Sequence, residues 1–281
     1  MTVTLMGAGG KMGCRITRQL RDHPDYSMRY VEQAETGRER LRALGVEPMP
    51  EGEALEATEV VIMAVPDSLM GSICEAIVPD LPAGAMVLLL DPAAAYAEVL
   101  PERSDIAYAI THPCHPPLFN DETDPEARED FFGGQGLASQ NVVCALHQGE
   151  AADYSRCEKL ARAMYDPVMD IHRVTTEQMA ILEPALVETL SATFIYAIYQ
   201  GFERAVAMGV PEAAAWDFLM GHLRIEVAII FGLTDFPFSD AAEQAVEEAM
   251  AELFVEDWED RVFDRENIKA STESIARPDV S

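Results

Sequence analysis

His112 and His115, in the segment Thr111-His112-Pro113-Cys114-His115, are the residues of this chain best suited to moving a proton. A neutral imidazole accepts and returns a proton near physiological pH, so a histidine beside a bound alcohol can serve as its general base. His112 comes two residues after the apolar run Ile106–Ile110, and His115 lies three further on, close enough to share a site. A second set has metal-ligating side chains. Glu183 directly precedes Pro184 in a long helical pattern, where a proline kinks the helix and can turn the carboxylate toward a cleft. His222 and Glu226 are four apart, share one helix face and could clip a divalent ion. Asn120 and Arg224 are candidate carboxylate binders, whereas Glu188 and Glu203 read as solvated or paired. The competing readings are two loop histidines held by backbone, a surface glutamate at a bend and an accidental i,i+4 pair.

The elements that must position these groups begin at the N-terminus. Thr2–Met6 is a short β-branched apolar run that leads into Gly7-Ala8-Gly9-Gly10-Lys11-Met12-Gly13. Helical spacing follows at Met12, Ile16 and Leu20, and a second run, Met28–Val31, ends at Glu32. Strand, glycine turn, helix, strand and acid are the parts that hold a dinucleotide. The glycines allow a tight turn and let pyrophosphate approach the backbone, and the helix N-terminus presents open N–H groups to it. Glu32, 19 residues past Gly13, is placed to accept from ribose hydroxyls and to repel a 2′-phosphate, which argues for NAD over NADP.

Further apolar runs at Val60–Val65, Met86–Leu90, Ile106–Ile110, Asn141–Leu146 and Val168–Val174 read as strands, with helical spacing in several gaps. This alternation predicts an α/β doubly wound domain over residues 1–174, with ligands at the carboxyl ends of its strands. The residues ending those strands, Val65-Pro66 included, therefore border the cofactor. From Thr176 to Met208 the spacing predicts one long helix, capped by Thr175 or Thr176, apolar on most faces and too long for a small domain. Residues 175–281 thus read as an all-α domain whose long helix is buried between two subunits of a homodimer. Further helices are expected at 211–231 and 240–257, with a polar, frayed tail from Ala270.

The 281-residue chain is 49% hydrophobic and can bury a substantial core. Its net charge is −29, and of its 20 basic residues only Lys11, Lys159 and Lys269 are lysines. Such a field repels nucleic acid and anionic membranes, and an acidic, lysine-poor surface suggests a salt-adapted source. No uninterrupted apolar run approaches the roughly 20 residues of a membrane helix. The five cysteines are scattered, none in a C-x-x-C pair, and read as free thiols in a reducing cytoplasm.

Taken together, these residues resemble the 6-phosphogluconate dehydrogenase-like superfamily, which includes β-hydroxyacid dehydrogenases, pyrroline-5-carboxylate reductase, prephenate dehydrogenase and ketol-acid reductoisomerase. The glycine turn at 7–13 and Ala64-Val65-Pro66 carry that likeness. The segment 111–120, with Phe131-Phe132-Gly133-Gly134, more specifically resembles the bacterial NAD-dependent group that includes D-apionate oxidoisomerases. The resemblance implies oxidation of a secondary alcohol in a branched sugar acid with carboxylate migration. A divalent ion such as magnesium would then polarise two oxygens, with Glu183, His222 and Glu226 as the ligands. The catalytic lysine of typical β-hydroxyacid dehydrogenases has no counterpart in Thr175–Glu183, so a lysine does not move the proton. The alternatives are a simple β-hydroxyacid or semialdehyde dehydrogenase without rearrangement, and a non-catalytic NAD-binding sensor.

Overall fold

The computed structural model describes residues 1–277. They fall into two compact units: residues 1–183 with the stretch from Lys269, and residues 184–268. This is a division by compactness, whereas the sequence reading divides the chain by function at 174/175.

The first unit is built on a seven-stranded sheet: β1 (Thr2–Met6), β2 (Ser27–Val31), β3 (Val60–Met63), β4 (Met86–Leu89), β5 (Ala107–Pro113), β6 (Gln140–Gln148) and β7 (Val168–Val174), in the order β2-β1-β3-β4-β5-β6-β7. The first five strands are mutually parallel. Both sheet faces are covered, which is why β3 and β4 read as unbroken apolar runs. Leu5, Ile62 and Leu88 pack in one cluster with Ile16 and Leu20, while Val61, Met63, Val87 and Leu89 pack in another with Met70 and Ile77.

Two features depart from a wholly parallel reading. β5 runs on through His112 to Pro113, and β6 pairs with it antiparallel, His112 opposite Val143. The residues between Pro113 and Gln140 contain only one turn of helix, Pro125–Arg128. Without a crossover helix the chain re-enters the sheet at the end where it left, so β6 is reversed. β7 then lies parallel to β6 through the helix Ala151–Met164.

The helix Lys11–Leu20 starts at an N-cap, Gly10, that provides no side-chain cap, so its first N–H groups stay available. Gly7 has φ +67°, and a Cβ there would lie 2.3 Å from Ala64 O. A Cβ at Gly13 would lie 2.3 Å from Gly7 O, so only glycine lets the helix sit down on the turn.

From Thr176 to Ala207 the chain is helical throughout. Thr175 and Gln178 form a capping box at its start. The stretch Ile181–Ser191 is π-helical, with Pro184 inside it. Proline has no N–H to donate and crowds the carbonyl four residues back; the widened turn accommodates both. By length, and by the mean hydropathy of one 18-residue window within it (1.4), this helix would suffice to cross a bilayer. A span placed between Glu183 and Glu203 would still carry Glu188 into hydrocarbon, at several kcal/mol.

In the second unit the helices Ala192–Ala207, Glu212–Ile230 and Asp240–Leu253 bury no residue completely. Ring contacts join Phe194 to Phe254 and Trp258, and Phe202 to Trp216. Ile195, Phe218, Phe231 and Leu253 remain more than half exposed. The tail expected to fray from Ala270 is instead helical through Ala276. Ile268, Thr272 and Ala276 are buried at i, i+4 and i+8, a periodicity hidden by the polar residues between them; residues 278–281 lie outside the described residues.

Gly13→Ala should lower unfolding stability by about 2 kcal/mol or more through overpacking. Gly52→Ala, in a helix with nothing within 4 Å of the added Cβ, should be neutral or stabilising by about 0.5–1 kcal/mol. Equilibrium denaturation of both variants checks the contrast.

Candidate functional site

At the carboxyl end of the parallel strands the chain places several ionisable groups within the first unit. His112 is carried by β5. Its Nδ1 lies 2.8 Å from Leu90 O, at the end of the neighbouring β4. A carbonyl only accepts, so Nδ1 carries the hydrogen and, in the neutral ring, the lone pair belongs to Nε2. Nε2 lies 3.3 Å from Glu183 Oε2. An imidazole lone pair and an ionised carboxylate repel at that distance unless a proton or a cation sits between them. Asp91, two residues past β4, completes a group with His112 and Glu183 whose candidate ligand atoms all lie within 4.8 Å of one another. All three are partly buried.

The electrostatics match this crowding. Burial, then the charge of Asp67, pushes the Glu183 carboxyl above the usual carboxylate range. Burial raises Asp67 as well, partly offset by a hydrogen bond from its own backbone N–H and by His112. Two oxygen donors and one nitrogen donor around a space short of positive charge form a set that accepts a divalent cation. Asp91 and Asp67 are not singled out by sequence reasoning. The signal was present: Asp91-Pro92 and Pro66-Asp67 both follow apolar strands, as His112 does.

His115 stands edge-on to His112 with 6.1 Å between centroids, and edge-on to Phe132 at 5.5 Å. Its backbone is left-handed (φ +61°), and Nδ1 donates to Phe132 O at 3.2 Å. Burial pushes its pKa below that of an ordinary histidine, which favours the neutral ring. Asn120 turns inward on its own loop, bonding Pro117 O and accepting from Glu122 N. His222 and Glu226 lie in the second unit on the helix Glu212–Ile230, where His222 stacks on Phe218 at 4.0 Å and its Nδ1 pairs with Phe218 O.

The glycine turn lies on the same sheet edge, at the end of β1. Glu32, just past β2, accepts from Gly9 N at 2.8 Å and from Ala34 N at 2.9 Å, so the carboxylate is oriented before any ribose arrives. Arg38 and Arg40 brace the turn through Glu32 O and Gly9 O. Val65 borders Gly7, and Pro66 starts the helix Asp67–Ile77. A turn in which a Cβ at Gly7 would strike Ala64 O, next to open N–H groups and a fixed carboxylate, fits a dinucleotide.

The chain is similar to known proteins over nearly its whole length. Residues 120–276 match the family described as phosphogluconate dehydrogenase (decarboxylating), C-terminal. D-apionate oxidoisomerases from Rhizobium rhizogenes and Cupriavidus necator are each 45% identical over 97% of this chain and 98% of theirs. A solved Cupriavidus necator structure, a semialdehyde dehydrogenase NAD-binding protein in complex with calcium and NAD, superposes with a TM-score of 0.94. It is 45% identical, over 98% of this chain and 99% of that one.

Because ionised Glu183 is held in the fold against burial and a like charge, Glu183→Gln should raise the melting temperature of the metal-free protein. The gain should be larger at pH 8 than at pH 4: the folded-state pKa lies above the unfolded one, so the destabilisation appears as pH rises through that interval. Thermal unfolding at both pH values checks the sign.

Proposed function

The chain belongs to the family of D-apionate oxidoisomerases related to phosphogluconate dehydrogenase, and we propose that it is an NAD-dependent oxidoreductase of a branched polyhydroxy acid such as D-apionate. In this reading, oxidation of the secondary alcohol is coupled to carboxylate migration. The observation that carries it is the His112 ring, fixed by Leu90 O so that Nε2 faces Glu183 beside Asp91.

NAD held in the glycine turn would supply the hydride acceptor, and a divalent cation held by the carboxylates would supply positive charge to the substrate's oxygens. His112 accepts the hydroxyl proton at Nε2, and Leu90 O stabilises the resulting imidazolium through Nδ1–H. Glu183 and Asp91 are the hard oxygen donors that would hold the cation, which leaves the imidazole for the proton. The calcium and NAD of the Cupriavidus structure support a divalent cation and NAD as the groups bound. His115 backs His112 as a neutral ring. His222 and Glu226 remain ligand assignments made on their shared helix face. Glu32, with Gly7, Ala8, Gly9, Gly10, Lys11, Met12, Gly13, Val65 and Pro66, forms the NAD seat.

Two further assignments follow. The exposed apolar side chains of the second unit support a homodimer, with the long helix in its interface. The five free cysteines support a cytoplasmic location.

With D-apionate and NAD, His112→Ala should lower kcat by about 10² or more while leaving NAD affinity nearly unchanged. Exhaustive chelation should abolish turnover and metal add-back restore it. Product analysis should show a rearranged carbon skeleton; an unrearranged keto acid formed without metal would identify a plain dehydrogenase. Light scattering should give twice the 30.9 kDa chain mass.

A further inference from the structure

A cleft of about 560 Å³ runs along the helix Lys11–Leu20, between it and the turn that carries Phe131 and Phe132. Lys11, Arg15 and Arg18 line it. Their spacing of four and three puts them on one helix face. Among the described residues none of the three makes an ion pair. Lys11 instead places its ammonium 3.6 Å from the centroid of the Phe132 ring. Arg15 is only 4% exposed. Its Nη2 donates to Gln140 Oε1 at 3.0 Å and its guanidinium lies over Tyr165, but Nε and Nη1 have no partner.

The opposite wall supplies Glu129 and Asp130. The Asp130 carboxylate is buried and already accepts from Gln135 N and Leu137 N. Three basic side chains thus face two acids, one of them committed to its own loop, in a protein of net charge −29. Burial lowers the Arg15 pKa and the nearby charges, Asp130 among them, offset that only in part, so an anion in the cleft would further stabilise the buried guanidinium. The two phenylalanines, 75% and 54% exposed, add an apolar wall.

We propose that this cleft binds a multiply charged oxyanion, phosphate- or carboxylate-bearing, in addition to the dinucleotide. Lys11 lies at the helix N-terminus, where a pyrophosphate belongs. Arg18 is seven residues further, roughly 10 Å along the axis at 1.5 Å per residue. The cleft therefore extends past the reach of the glycine turn, and Arg18 reports on the second anion alone.

The test is calorimetric titration of the full-length protein, saturated with NAD at fixed ionic strength, with inorganic pyrophosphate and separately with tricarballylate. At least one should bind, and which one identifies phosphate or carboxylate as the source. Arg18→Glu, a change at an exposed position, should weaken that binding about tenfold or more, as expected for reversing a charge-assisted contact, and leave NAD affinity unchanged. Binding of neither probe, loss of binding once NAD is saturating, or an Arg18→Glu variant that binds like the parent would each overturn the proposal. If NAD itself failed to bind, the dinucleotide assignment would fall, while anion binding sensitive to Arg18→Glu would still support the cleft.

Discussion

The hydrogen bond from His112 Nδ1 to Leu90 O is the contact around which the site is organised. It joins the ends of β4 and β5, fixes the tautomer and aims Nε2 at Glu183. The bond exists because parallel pairing sets Leu89 beside Ile110, so the residues that follow arrive together at the sheet edge. The same edge places the glycine turn, and with it the cofactor seat, at the carboxyl end of β1. A catalytic group on a strand is held more rigidly than one on a loop, and the antiparallel pairing of His112 with Val143 extends that rigidity to the residue itself.

The acidic character of the chain is not uniform. Around His112 stand the carboxyl groups of Asp67, Asp91 and Glu183; burial raises Asp67 and Glu183 above their usual range, and the charge of Asp67 adds to the shift of Glu183. Along the Lys11–Leu20 helix three of the chain's few basic residues share one face. An acidic protein that handles anions has two physical means of doing so, a cation held by carboxylates and a local cluster of basic side chains. This fold has the donor set for the first and the side chains for the second.

The strands, the glycine turn and Glu32 were legible because local periodicity and spacing encode them. The position of His112 at the sheet edge was legible for the same reason. What local spacing does not encode is pairing between distant segments. The run Ile106–Ile110 gave no sign that β5 would continue to Pro113, because its partner lies beyond a 26-residue connection, residues 114–139. The reversal of β6 depends on that same connection. Asp91 simply follows the apolar run Met86–Leu90 in the sequence; it becomes a ligand candidate only when β4 and β5 bring it next to His112. The buried face of the last helix was obscured because its spacing is carried by single residues, Ile268, Thr272 and Ala276, among charged neighbours.

Proton transfer at this site depends on the protonation pattern of the His112 ring. Long-range ¹H–¹⁵N correlation spectroscopy of the metal-free protein at pH 8, with His112 assigned by loss of its signals in a His112→Gln variant, reads that pattern directly. The expected result is a protonated Nδ1 and an Nε2 without a covalent hydrogen. A ring that carries its hydrogen on Nε2, with Nδ1 unprotonated, would contradict it, because Leu90 O could not then orient the imidazole and Nε2 would have no lone pair to take the proton.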